Sequence, residues 1–230
     1  MSNNYGPKIV TDGLVLCLDA ADRNSYPGSG STWYDLSGNG KNGTMVGATF
    51  NSGNNGNFNF DGDNDYINIA TFVATLNTLT YSSECYWFKV PLTGNAFFLS
   101  FYGSKYNPVG DFSGASTSES ISIYQNNITA FYENGNTFYS DNQWHYACYV
   151  YGSGFNKLYV DAKELTLRYT LGNSNTTRSA YGASHFILGN RPSDFYANEG
   201  FLSTVSIYSR PLSANEVLQN YNATKGRFGL

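Results

Sequence analysis

The residues best suited to chemistry are oxygen-bearing side chains, and they fall into four groups. Asp19, Asp22 and Asn24 lie within six residues of one another at the end of an apolar run, which makes them a candidate oxygen set for a hard cation. Asp61, Asp63 and Asp65 alternate in the same way. They lack the later Glu of a calcium-binding helix–loop–helix, and a turn between strands explains them equally well. Tyr102, Tyr106, Asn107 and Asp111, and then Asn190, Arg191, Asp194 and Tyr196, combine rings with amides and charges in two loop-like segments. Rings of this kind stack on the C–H faces of sugars while planar polar groups take the hydroxyls. A Tyr-rich loop serves a protein contact equally well. Glu84, Glu119, Glu133 and Glu164 are scattered, whereas a retaining glycosidase needs two carboxyl groups about 5 Å apart. His145 and His185 sit inside strand patterns with no nucleophile motif beside them and read as structural.

The elements that must hold these residues are short and numerous. Leu14–Leu18, Asn57–Phe60, Tyr66–Ile69, Tyr81–Lys89, Trp144–Tyr151, Lys157–Val160, Leu165–Arg168, Phe186–Leu188 and Phe201–Tyr208 are apolar or alternating runs. Turns rich in Gly, Asn, Ser and Asp divide them. Ile121–Tyr124 and Ile128–Tyr132 flank Gln125-Asn126-Asn127 as a hairpin. Gly38–Gly56 reads as loops around one strand. Ser213 followed by Glu216 is a capping box, with Val217, Leu218 and Tyr221 as the apolar stripe of a C-terminal helix. The pattern predicts an all-β, antiparallel sandwich over residues 1–230, a single domain without repeat or linker.

Composition limits the partners. Only 13% of the residues are charged, the net charge is −4, and 17% are aromatic. Nucleic acid is not expected, because phosphate neutralisation needs a basic patch. Membrane insertion is not expected either, since no run reaches the roughly 18 apolar residues that a spanning helix requires. Met1–Pro7 has neither the charged start nor the apolar run of a signal peptide. Cys17, Cys85 and Cys148 are odd in number and sit in apolar runs, which predicts three buried free thiols in a protein folded in a reducing cytoplasm.

Four segments in order resemble laminin-G-like domains of the concanavalin-A type. These are Asp12-Gly13-Leu14-Val15-Leu16, the hairpin-like Phe60-Asp61-Gly62-Asp63-Asn64-Asp65-Tyr66-Ile67, Trp144-His145-Tyr146 with Leu158-Tyr159-Val160-Asp161, and Val205-Ser206-Ile207-Tyr208-Ser209-Arg210-Pro211-Leu212-Ser213. The resemblance implies a jelly-roll sandwich with a short C-terminal helix. The glycosidases of this type resemble one another in an ExDxxE strand, which this chain lacks. Leu18–Gly28, Thr32–Asn39 and Asn220–Leu230 further resemble laminin-G-like domains of tailed-phage structural proteins.

That second resemblance implies a non-catalytic virion protein, a capsid decoration or a tail or fibre component, made in the host cytoplasm and placed on the virion surface. It would present a lectin-like domain to cell-surface carbohydrate. The alternatives are a purely architectural decoration protein and a glycan hydrolase. The partners implied are other virion proteins, host cell-surface glycans and further copies of the chain. No cofactor is expected, and the one metal the fold allows is a structural calcium. Ser203, where relatives often carry Asp, argues against it. Ala162 replaces the usual Gly after Asp161 and predicts a strained two-residue turn with positive φ.

Overall fold

The computed structural model describes residues 8–53, 56–91, 95–103, 106–113, 120–125, 128–133, 139–173, 183–191, 196–197 and 199–230; for those of them within 95–133 and 190–197 it gives the course of the backbone. The strands are β1 (Leu14–Asp19), β2 (Thr32–Trp33), β3 (Gly43–Val46), β4 (Thr49–Asn51), β5 (Asn57–Asp61), β6 (Tyr66–Asn68), β7 (Ser82–Lys89), β8 (Asn95–Gly103), β9 (Tyr106–Ser113) and β10 (Ser120–Gln125). They continue as β11 (Ile128–Glu133), β12 (Trp144–Gly152), β13 (Phe155–Val160), β14 (Lys163–Leu165), β15 (Arg168–Leu171), β16 (Ala183–Leu188), β17 (Asn190–Arg191), β18 (Tyr196–Ala197) and β19 (Glu199–Tyr208). Two helices, α1 (Val73–Leu76) and α2 (Ala214–Thr224), complete the elements used below.

Two antiparallel sheets face each other. One runs β14-β13-β12-β7-β19-β5-β4, with β1 also on β19; the other runs β15-β11-β10-β9-β8-β16-β6-β3-β2. The expected sandwich with a short C-terminal helix is the fold observed. Its interior is aromatic. Tyr86 and Phe88 of β7, Phe58 and Phe60 of β5, and Leu202, Val205 and Ile207 of β19 pack against Trp33, Ile67, Phe186 and Leu188 of the opposite sheet. The two-residue period turns Cys85 and Trp87 to the other face of β7. There they join Trp144, Tyr146, Tyr208 and Val217 in a second core beneath α2.

That second core explains the closing motif. Ser213 accepts a hydrogen bond from the Glu216 amide, and the Glu216 carboxylate accepts one from the Ser213 amide at 2.8 Å, the predicted capping box. Arg210 grips Glu216 through two contacts of 3.1 and 2.6 Å, and its Nε reaches Asp12 at 2.7 Å. The Arg210 guanidinium, against burial and helped by the Ser213 donors, holds the Glu216 carboxyl at about 2. Val217 is buried as predicted, but Leu218 is exposed at 44%, and Asn220 takes the inner position instead. Asn220 accepts from the Val10 amide at 2.8 Å and donates to the Tyr208 hydroxyl at 3.0 Å, which ties the first segment to the helix.

Several expectations need correction. Residues 60–67 do not form a hairpin: β5 pairs with β4 and β19, whereas β6 pairs with β3 and β16, so the Asp61–Asp65 turn arches from one sheet to the other. The Gly38–Gly56 segment holds two strands, β3 and β4, one in each sheet. The run Leu165–Arg168 is split, because the chain leaves β14 at Leu165 and enters β15 of the opposite sheet at Arg168. Cys85 and Cys148 are register partners on β7 and β12, with Cα atoms 4.1 Å apart, and are joined by a disulfide. Three free thiols are therefore replaced by one, and the cysteines no longer support folding in a reducing compartment. The remaining thiol, Cys17, is buried, and burial with the neighbouring Asp19 charge pushes it up to about 12. The Asp161–Ala162 turn behaves as predicted: φ is +50° and +61°, and Val160 pairs with Lys163.

Candidate functional site

Three segments far apart in sequence meet at one end of the sandwich and enclose an open groove of about 950 Å³. Ala20–Gly28 follows β1, Phe50, Ser52 and Gly56 come from the end of β4 and the chain beyond it, and Asn222–Arg227 covers the end of α2 and the turn after it. The floor is a backbone junction. Ser203 bulges out of the β19–β7 ladder, its hydroxyl donates to the Gly56 carbonyl at 2.8 Å, and its carbonyl accepts from the Ala20 amide at 2.9 Å. Gly56 is required here: its φ is +96°, and a Cβ would stand 2.6 Å from the Ala20 carbonyl.

The walls are pinned in the same way. Arg227 donates to both oxygens of Asp19, at 2.7 and 2.5 Å, which locks the end of the chain to the end of β1. Burial opposes the charge on Arg227, and Asp19 outweighs it, so the guanidinium pKa is raised. Asp22 accepts from the Asn24 amide and side chain at 2.8 and 3.0 Å, a turn that carries Arg23 outward. Tyr26 is buried with its hydroxyl donating to the Gly30 carbonyl at 3.1 Å. Its ring lies 4.8 Å from that of Phe50, which is half-buried at the groove.

The predicted oxygen set is thus divided. Asp19 is satisfied by a guanidinium, which supplies the positive charge a cation would bring, and Asp22 and Asn24 bond to each other. Asp61, Asp63 and Asp65 also bond within their own arch: Asp61 accepts from the Asp63 amide, and Asp65 from the Asp61 amide. Burial, with the nearby Asp61 and Asp63 charges, raises the Asp65 pKa above the ordinary carboxylate value despite that amide. Among the described residues no three His, Cys, Asp or Glu side chains gather around one metal position.

The described residues of the predicted sugar-binding segments lie in strands. Tyr102 and Tyr106 are register partners in the β8–β9 hairpin, beside Asn107, which partners Phe101. Asp111 partners Phe97 near the other end of that hairpin, about 16 Å from Tyr106 at the usual rise of a strand. The strand pattern Ala96–Tyr102 is as regular as those recognised elsewhere; polar residues after Gly103 masked it. Asn190, Arg191 and Tyr196 form the β17–β18 pair, which lies against β8. Leu188 partners Leu99, so this pair lies toward the Asn95 end, the end that Asp111 occupies. The backbone therefore brings Asp111, Asn190, Arg191 and Tyr196 to one end of β8 and leaves Tyr102, Tyr106 and Asn107 at the other. Asp194 is outside the described residues, as is Glu119.

The three described glutamates of that scattered set lie on separate strands. Glu84 is buried in β7 and accepts from Ser82 at 2.9 Å, Glu164 in β14 pairs with Lys157 at 2.9 Å, and Glu133 lies in β11 of the other sheet. His145 is clamped between Asp161 and Asp141, at 2.8 and 3.1 Å, so both ring nitrogens are spent on structure. Sequence reasoning missed the groove as a unit. The Leu18–Gly28 and Asn220–Leu230 motifs were its visible signal, since they supply two of its three walls.

A family model described as the concanavalin A-like lectin/glucanases superfamily, of the laminin-G kind, matches residues 61–218, well over half of the chain. The chain belongs to that superfamily. The superfamily takes in lectins and glucanases, binding proteins and enzymes alike. No curated protein matches the chain by sequence. Among solved structures, a Trypanosoma rangeli sialidase is similar at 15% identity and a TM-score of 0.65, over 94% of this chain and 33% of the sialidase. The binding domain of Paraclostridial Mosquitocidal Protein 1 is similar at 16% and 0.64, over 92% of this chain and 52% of that one. The receptor-binding domain of botulinum neurotoxin type G is similar at 17% and 0.60, over 91% and 51%. The chain thus spans a third to a half of the length of these structures, and the likeness is one of fold.

Proposed function

We propose that the chain is a non-catalytic, carbohydrate-binding domain displayed on a phage particle. The observation that carries the binding part is the groove's chemistry: it is open, has an aromatic wall and, among the described residues, is lined by a single carboxylate, that of Asp22. A two-carboxylate glycosidase mechanism has no second acid there to use. A lectin, in contrast, needs only a ring face and a few planar polar groups. The superfamily description and the two binding-domain neighbours support the same reading.

The particle part is supported by the segments that resemble phage structural domains, Leu18–Gly28 and Asn220–Leu230. They are the two that Arg227 and Asp19 join across the groove. The test has three arms. Purified protein on an array of cell-surface glycans should retain at least one of them. A reducing-end assay with each retained glycan should stay flat. Antibody labelling of phage particles should decorate the virion surface. Sugar release in the second arm would replace the lectin with the hydrolase, and an empty array would leave the architectural decoration protein.

A further inference from the structure

Resting on the carbohydrate-binding reading above, we infer that the groove between Ala20–Gly28, the residues Phe50, Ser52 and Gly56, and Asn222–Arg227 seats a neutral oligosaccharide of a few rings. This places the sugar away from the Tyr102–Asp111 and Asn190–Tyr196 positions singled out in the sequence.

Size is the first argument. A groove of about 950 Å³ is at the upper end of what holds a drug-sized ligand, so it accommodates several sugar rings rather than one. Shape is the second. At Gly28 on the rim nothing stands within 4 Å of where a Cβ would be, and the groove is open to solvent above the Gly56–Ala20 junction.

Chemistry is the third argument, and it selects the ligand. Sugar rings have one apolar C–H face and a polar edge. The half-buried ring of Phe50, backed by Tyr26, offers an apolar surface beside Pro27. Around it stand the amide of Asn222, the hydroxyl of Ser52, the guanidinium of Arg23 and the carboxylate of Asp22, which together donate to and accept from hydroxyls. Charge decides between neutral and acidic sugars. Arg227 is neutralised by Asp19, and Arg23 stands beside Asp22, so the cleft holds no surplus of positive charge to attract a carboxylated or sulfated glycan.

Rigidity is the fourth argument. The Arg227–Asp19 pair, the Ser203–Gly56 bond and the Asp22–Asn24 turn fix the three walls before any ligand arrives. Little ordering cost then opposes binding of a flexible sugar.

The experiment uses the full chain with dextran, mannan and laminarin as neutral probes and polysialic acid as the acidic one. Three variants are compared with the wild type: Arg23→Ala, Asn222→Ala and Ser52→Trp. Arg23 and Ser52 are exposed and Asn222 is half-buried, so the melting temperature should hold. A neutral probe should bind, and each variant should weaken it by about tenfold, the worth of one charge-assisted or two ordinary hydrogen bonds or of a blocked cleft. If the tryptophan variant fails to fold, the two alanine variants decide alone. A neutral probe bound equally by all variants overturns the groove assignment and leaves the carbohydrate-binding reading intact. Binding of polysialic acid alone overturns the neutral ligand. Binding of no probe here and of no glycan on the array overturns both readings.

Discussion

At the scale of single residues, two side chains sit where their chemistry has a measurable sign. Burial pulls the His145 pKa down, but the carboxylates of Asp161 and Asp141 more than offset it, so the folded-state value stands above the ordinary 6.5. A raised folded-state pKa means that the native state holds the proton more tightly than the unfolded one. The stability this clamp adds is therefore complete below about 6.5 and is lost as the pH rises through the folded-state value. Asp161→Asn keeps an acceptor for the Tyr146 amide, which Asp161 receives at 2.9 Å, but removes the charge facing the ring. The urea midpoint of that variant should fall further below wild type at about pH 5.5 than at about pH 9. An equal gap at both pH values would show that the clamp does not titrate. Ala162 is the second case. Its φ of +61° brings Cβ against the backbone, a cost that glycine avoids. Ala162→Gly should raise stability by about 0.5–1 kcal/mol, after the greater unfolded-state entropy of glycine is subtracted, and appear as a higher urea midpoint at unchanged slope. A lower midpoint would mean that the turn is unstrained. This residue was legible through the resemblance, whose usual Gly after Asp161 implies a two-residue turn, and in such a turn both central positions demand positive φ.

At the scale of elements, the sequence shows where strands are and withholds what they pair with. Alternation marked β7 and β12 correctly, yet nothing in a separation of 63 residues says that Cys85 lies opposite Cys148. The same blindness made residues 60–67 a hairpin, since two alternating runs around a Gly-Asp-Asn turn look alike whether they pair or arch between sheets. It also hid β8 and β9, where Pro108 sits in a strand opposite Ser100. The disulfide gives this scale its prediction. Unfolded in denaturant without reductant, the chain should expose one titratable thiol, that of Cys17, and three after reduction. Three thiols before reduction would return the sequence expectation. Helix α2, by contrast, was legible end to end, because the Ser213–Glu216 box is a contact three residues long. Only its inner face was misjudged. The helix lies on the sheet so that Asn220 faces inward and bonds the Tyr208 hydroxyl, a polar contact that hydrophobic spacing cannot anticipate.

At the scale of the whole molecule, the two ends of the described chain meet at one point, and that point decides what calcium contributes. Asp19 closes β1, Arg227 comes from the last residues, and their bidentate pair spans 208 positions of sequence. The position a calcium would take beside Asp19 is filled by a guanidinium, and in the Asp61–Asp65 arch the carboxylates of Asp61 and Asp65 accept from the arch's own amides. Two aromatic cores, one between the sheets and one under α2, hold the rest. A chelator should accordingly move the melting temperature by less than about 2 °C, since in a domain of this size each kcal/mol shifts it by about 2–4 °C. A fall of more than about 10 °C would demand several kcal/mol of ligand linkage and would restore calcium as a structural component. The pair itself should matter far more. Arg227→Met retains much of the stem but leaves the mostly buried Asp19 carboxylate without its counter-charge, at a cost of about 2 kcal/mol. The expected loss is about 4–8 °C by calorimetry, and added calcium should not recover it, because Asp22 and Asn24 face each other rather than Asp19. Recovery by calcium would show that the three oxygens can converge once the arginine is gone. The guanidinium would then be a substitute for a metal that the fold can still hold.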